Sequence, residues 1–207
     1  MTSKVSFPAV PHGRWTIVDQ VKDAMQWNYY LFVLAWSSMY KQLIEQFGDD
    51  GRRAAAKASE EMGRKWSEAM LEIADEDRSK TTAADIARSY HESMQFFGYD
   101  NEIVEAGEKR AVVRVTKCPL LEYWREQYPE LIPHACYVEP NIDVGSYRHI
   151  NPNVKLTIPC KLSEGAAYSD YVITIDDEGT LPELVDQDTT AFKEFLERRA
   201  ALKPAAS

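Results

Sequence analysis

The chain is short of cysteine, short of glycine and short of positive charge, and each shortage excludes something. Its 207 residues hold three cysteines, Cys118, Cys136 and Cys160. Three is too few, and odd, for the disulfide framework of a small secreted protein. The thiols are expected to be reduced, each serving as core, ligand or nucleophile. None belongs to a C-x-x-C pair, which excludes a zinc ribbon and a thioredoxin-like motif. Nine glycines and ten prolines exclude collagen-like and low-complexity chains. Lys and Arg number 24 against 33 Asp and Glu, for a net charge of −9. Without a basic patch, nucleic acid and anionic membrane surfaces are not expected as partners. The longest apolar run, YYLFVLAW at residues 29–36, falls far short of the roughly 20 residues of a membrane span. The opening MTSKVSFPAVPHGRW has no apolar signal core, so a cytoplasmic location is expected. The signatures of phosphate loops, dinucleotide folds, nucleophile elbows and zinc proteases are all absent.

What is present is an ordinary globular composition, 44% hydrophobic and 28% charged. It predicts one domain over residues 1–207, with an N-terminal arm at 1–16 and a frayed tail at 203–207. Folding should hide roughly 70% of the unfolded chain's surface. A core of that size needs no disulfide or structural metal.

The front half reads as helices. Val18, Val21, Met25, Tyr29, Phe32, Trp36, Met39, Leu43 and Phe47 step by threes and fours, predicting a helix over residues 18–47. Tyr30, Val33, Leu34, Tyr40 and Ile44 widen its apolar stripe, so it packs on several sides or forms a homodimer interface. A second helix is predicted over 51–75, after the break at Gly48-Asp49-Asp50. A third is predicted over 83–97, capped by Thr81 or Thr82 and stopped by Gly98. The period then changes to two. Residues 110–116 alternate and pair with 102–106 through Gly107-Glu108; residues 154–162 and 171–175 supply two more strands. Pro159 puts the third run at an edge or on a bulge. One or two short helices fill 119–150, and a last helix is predicted at 190–202. The fold class is α+β: a helical N-terminal half on an antiparallel sheet of about four strands, with a C-terminal helix.

Cys118-Pro119 falls where a strand ends and a helix begins, and proline favours the first helical position. Cys118 would then be the cap residue, facing unpaired N–H groups that favour thiolate; the plainer reading is a small buried residue. His134 and Cys136, two apart, share one side of an extended segment. They suit one metal or a thiolate–imidazolium pair, or else a half-buried histidine and a core cysteine. Cys160, between Ile158 and Leu162, reads as core. His91 sits beside the apolar face of the third helix, His149 precedes a strand and could reach the Cys118 pocket, and His12 is near a chain end. Glu60 and Arg64, four apart, make a surface ion pair in the favourable order. Five Trp, eleven Tyr and seven Phe would suit a pocket for a flat ligand, or simply a core.

Three stretches carry a resemblance: EEMGRKW at 60–66, VTKCPLLEYW at 115–124, and HAC at 134–136 followed by HINPNVKLTI at 149–158. Together they resemble the L-2-amino-thiazoline-4-carboxylic acid hydrolase family over roughly residues 50–176. The outline is also similar to vinyl-reductase-type small-molecule-binding domains. The resemblance implies a helical half on an antiparallel sheet, with Cys118 and Cys136 in a pocket and Glu60 and Arg64 near it. Relatives place another cysteine after the Gly165 turn, where this chain has Ser169 within AAYSDY.

Three functions follow. A small-molecule hydrolase or lyase would open a C–N or C–S bond of a small cyclic or aromatic substrate. Cys118 would be its nucleophile, His134 or His149 its acid or base, and Glu60, Arg64, His91 and Trp66 its substrate contacts. Alternatively Cys118, Cys136 and a histidine would hold a divalent metal such as zinc, although nothing in the sequence requires a cofactor. The third is a non-catalytic sensory module with an aromatic pocket.

Overall fold

The computed structural model of the chain describes residues 17–74 and 81–176. His12, the N-terminal arm, the C-terminal helix expected at 190–202 and the tail lie outside the described residues. Five helices and four strands run in the order α1 (Ile17–Phe47), α2 (Asp49–Ala74), α3 (Ala83–Phe96), β1 (Asp100–Ala106), β2 (Arg110–Lys117), α4 (Pro119–Gln127), α5 (Ala135–Ile150), β3 (Val154–Thr157) and β4 (Ser169–Ile175). Short 3-10 turns at Pro129–His134 and Leu162–Glu164 join the later elements. The helical half and the four-stranded antiparallel sheet are those the sequence predicts.

α1 is long because its apolar stripe never breaks. Val33, Trp36, Tyr40 and Ile44 are buried, whereas Trp27, Leu31 and Leu34 stay exposed on its back. Gly48, at φ +59°, turns the chain without a residue to spare. α3 begins on a capping box: the Asp85 N–H donates to the Thr82 hydroxyl, and the Thr82 N–H donates to the Asp85 carboxylate. It ends on Gly98 at φ +88°, as glycine at that position permits.

The strand order is β1-β2-β4-β3, every pair antiparallel. Ala111, Val113, Val115, Tyr171, Ile173, Val154 and Leu156 form the buried face. α3 packs on it, with the Tyr90 ring 5.2 Å from that of Tyr171. On the other face, register partners Arg114 and Asp170 form a two-point ion pair at 2.8 and 3.0 Å. The Arg114 guanidinium also stacks 3.8 Å from the Tyr168 ring centre.

Two stretches differ from expectation. The run at 154–162 is a strand only to Thr157. Pro159 and Cys160 lie in a bend after it, so Cys160 is half-buried in a turn rather than on an apolar strand face. Residues 119–150 hold a four-turn helix, α5, besides the short α4. Pro133 and Pro140 argue locally for breaks, yet the chain stays helical through both. For Pro140, packing of α5 along α2 and β3 outweighs the penalty.

Candidate functional site

The predicted residues separate into two places. The first is the core between α1 and α4. Cys118 is the N-cap of α4, followed by proline at the first helical position, as its sequence context predicts. Its Sγ accepts the Leu121 N–H at 3.4 Å, and the residue is only 8% exposed. Deeper in, Phe32, Trp36 and Tyr40 stack along α1, with successive centroids 6.1 and 5.4 Å apart. Trp124 of α4 lies 5.7 Å from Trp36 and within 8° of parallel. Its Nε1–H donates to Ser37 Oγ at 2.7 Å, and Ser37 in turn donates to the Val33 carbonyl. These aromatics fill the core against one another instead of lining a pocket. His134 is 1% exposed and meets the Tyr40 ring edge-on at 5.8 Å.

His134-Ala135-Cys136 is helical, not extended: the 3-10 turn ends at His134 and α5 starts at Ala135. The reason for pairing His134 with Cys136 across an extended segment is therefore gone. Cys136 sits in the first turn of α5, and its side chain lies outside those described. Among the described residues no three His, Cys, Asp or Glu side chains converge as a metal site.

The second place is a cleft of about 450 Å³ between α2 and α5, lined by Lys57, Glu60, Glu61, Arg64, Gly145, Arg148 and His149. Two glycines create it. A Cβ on Gly63 would lie 1.8 Å from the Ile142 carbonyl oxygen, and one on Gly145 would lie 1.8 Å from that of Glu60. Both are impossible separations, so the helices touch backbone to backbone. Long side chains one turn apart on each helix then rise around a common rim. Glu60, Arg64 and His149 meet here. His149 occupies the last turn of α5, and Cys118, which it was expected to reach, does not line this cleft.

Ion pairing differs from the sequence expectation. Arg64 donates to Glu61 at 2.6 and 2.8 Å and to Glu68 at 3.2 Å, and it has no bond to Glu60. Glu60 pairs across the cleft with Arg148 at 3.3 Å. The cross-helix partner won because the α2–α5 contact brings it within reach. The hydrogen bond from Arg64 holds the Glu61 carboxyl below the usual carboxylate range. Lys65, then the Arg64 and His149 charges, lower that of Glu68. Arg148 keeps spare donors, since a guanidinium has five N–H groups and its buried Nε–H has no acceptor among the described residues.

The remaining candidates have structural partners. His91 Nδ1–H donates to Asn101 Oδ1 at 2.5 Å, and its Nε2 accepts from Gln95, tying α3 to β1. Trp66 is 56% exposed on α2, and the cleft lining does not include it. Ser169 is buried, its Oγ accepting the Leu162 N–H at 2.8 Å, so it fixes the turn that follows Cys160. Lys57, Arg148 and the glycine pair escaped the sequence reading. The usable signal was Gly145 followed at three and four residues by Arg148 and His149, which places all three along one side of a helix.

Four strands carrying a helical layer, with a charged cleft between two of its helices, define an α+β protein. The chain belongs to the L-2-amino-thiazoline-4-carboxylic acid hydrolase family, whose model matches residues 27–172. No curated protein sequence matches it. Among solved structures it is similar to subunit 3 of a trafficking protein particle complex from Naegleria fowleri, a structure covalently bound to palmitic acid. That likeness has a TM-score of 0.55 at 16% identity, over 75% of this chain and 98% of that one, and shows the fold alone. No helix among the described residues is long and apolar enough to cross a membrane.

Proposed function

We propose that the chain is a hydrolase that adds water to a C–N or C–S bond of a small cyclic carboxylate held in the α2–α5 cleft. The observation that carries this reading is the convergence of Glu60, Arg64, Arg148 and His149 from two helices on one cavity. Arg148, positioned by Glu60, forks the substrate carboxylate with its spare donors. Arg64 adds positive charge from the opposite wall. His149 takes a proton from a water molecule whose oxygen bonds to the ring carbon. The same proton passes to the departing nitrogen or sulfur, so the product differs from the substrate by one water. Membership of the hydrolase family supports the reaction class. In this reading Cys118 caps a helix and does not touch substrate.

The test is a mass-resolved turnover assay with 2-amino-thiazoline-4-carboxylate and related heterocyclic carboxylates. Gain of one water that His149→Ala abolishes, and that Arg148→Ala slows at least about tenfold through KM, supports the reading. No turnover of any compound by the wild type, or loss in Cys118→Ser with His149→Ala unaffected, overturns it. A homodimer through Trp27, Leu31 and Leu34 is supported by their exposure on α1. A monomer mass by light scattering at working concentration would remove it.

A further inference from the structure

A second cavity lies at the N-terminal end of the aromatic stack, where Tyr29 lines it 6.2 Å from Phe32. It encloses about 230 Å³ between the N-terminal half of α1, the end of α3, the last residue of β2 and the start of α4. Its apolar wall is made of rings. Tyr29 and Phe97 lie 5.0 Å apart, and Tyr30 meets Tyr123 edge-to-face at 5.7 Å. Its polar groups are Lys117 and Gln26. Lys117 is exposed and makes no ion pair among the described residues, although Asp100 is its register partner across the β1–β2 ladder. In a chain of net charge −9, most described arginines are matched to carboxylates. Lys57 and Lys155 also lack a carboxylate partner among the described residues, but Lys117 is the one set beside four aromatic rings in this cavity.

Gly98 supplies the open space. At φ +88° it carries no side chain, and a Cβ there would lie 3.6 Å from Pro119 and 3.9 Å from the Gln26 amide, inside the gap. The volume suits one ring with one substituent: an apolar cavity of about 150 Å³ holds benzene in another protein, and a carboxylate adds a little more. Tyr123 is held neutral, because burial, the neighbouring Tyr128 and Tyr30 and its hydrogen bond with Tyr128 push its hydroxyl up to about 12.

We propose that this cavity binds a single-ring aromatic carboxylate, with the ring among Tyr29, Tyr30, Phe97 and Tyr123 and the carboxylate on Lys117 and Gln26. The site is separate from the α2–α5 cleft and shares no lining residue with it. It stands whether or not the cleft is catalytic. The ring supplies apolar burial and edge-to-face contacts, and the ammonium supplies a charge-assisted hydrogen bond.

The test is calorimetric titration of the full-length protein with benzoate and, separately, with its neutral analogue benzamide. Benzoate is expected to bind with a Kd of about 1 mM or tighter, and benzamide about tenfold more weakly. Lys117→Met should remove that tenfold difference without changing benzamide binding. Gly98→Asn, which tolerates a positive φ while filling the gap, should abolish both. Absence of benzoate binding to the wild type overturns the proposal. So does unchanged benzoate affinity in Lys117→Met, which is exposed and leaves the fold intact. Loss of benzoate binding in Arg148→Ala instead would place the anion in the cleft and equally overturn it.

Discussion

α1 meets α4 through side-chain rings and α2 meets α5 through backbone, so the two helix contacts are built from opposite materials. The first is closed by rings: Trp124 lies flat on Trp36, and its only polar atom is spent on Ser37. The second is closed by nothing at all, since Gly63 and Gly145 contribute no side chain. Around Trp36, Tyr40 and Trp124 the rings fill the contact, and the open space lies only toward the start of α4, beside Tyr30 and Tyr123. Where backbones touch, the charged side chains on either side are lifted to a rim and leave a cavity between them. The same contrast sorts the candidate residues. Those expected to react because of local context, Cys118 and His134, went into the filled contact. Glu60 and Arg64, which spacing alone reads as a surface ion pair and the family resemblance places near a pocket, frame the open one.

The contrast can be broken most sharply at Trp124. Trp124→Ala should destabilise the protein by about 3–5 kcal/mol, read as a lower denaturation midpoint, whereas Arg148→Ala should leave the midpoint nearly unchanged. Equal losses would mean that the cleft is as structural as the core. Next in size is Gly145→Ala. Alanine is the better helix former by about 1 kcal/mol, but its Cβ has nowhere to go, so we expect a net loss of about 1–3 kcal/mol. Adding Gly63→Ala should cost less than a second full penalty, because both act on one contact. A smaller effect is expected at the α4 start. Cys118→Ala should cost about 1 kcal/mol by removing the cap acceptor, and Cys118→Ser should restore it. Turnover should survive in both variants. The smallest test concerns Asp85, whose carboxyl lies below its ordinary range because the Thr82 hydroxyl and N–H donate to it. A lowered carboxyl stabilises the fold above its unfolded-state value and loses that contribution as pH falls through the folded one. Asp85→Asn should therefore cost about 0.5–1 kcal/mol at neutral pH, and chemical denaturation should show the difference vanishing in acid.

Much of the scaffold was legible because its signals are local. The α1 stripe, Thr82 before α3, Gly98 after it and the Cys118-Pro119 junction each depend on residues within one or two turns. Less of the site was legible. Glu60 has an arginine four residues on, and pattern alone pairs them; the structure gives it Arg148 instead. His149 could be expected to reach Cys118, but the last turn of α5 sets it in the α2–α5 cleft, which Cys118 does not line. Pro140 disguised α5, whose helicity is sustained by its packing. On the sheet, Arg114 and Asp170 become partners only through the β2–β4 register.

The sequence by itself determined the α+β class, the main element boundaries, the helix caps and the family, because periodicity, capping and motif order act over short stretches of chain. The tertiary structure alone decided which charges meet, that Cys118 is buried, and that two glycines 82 residues apart bring α2 against α5. Ion pairs and cavities depend on distances between elements, and those distances are set by packing that no single stretch of sequence contains.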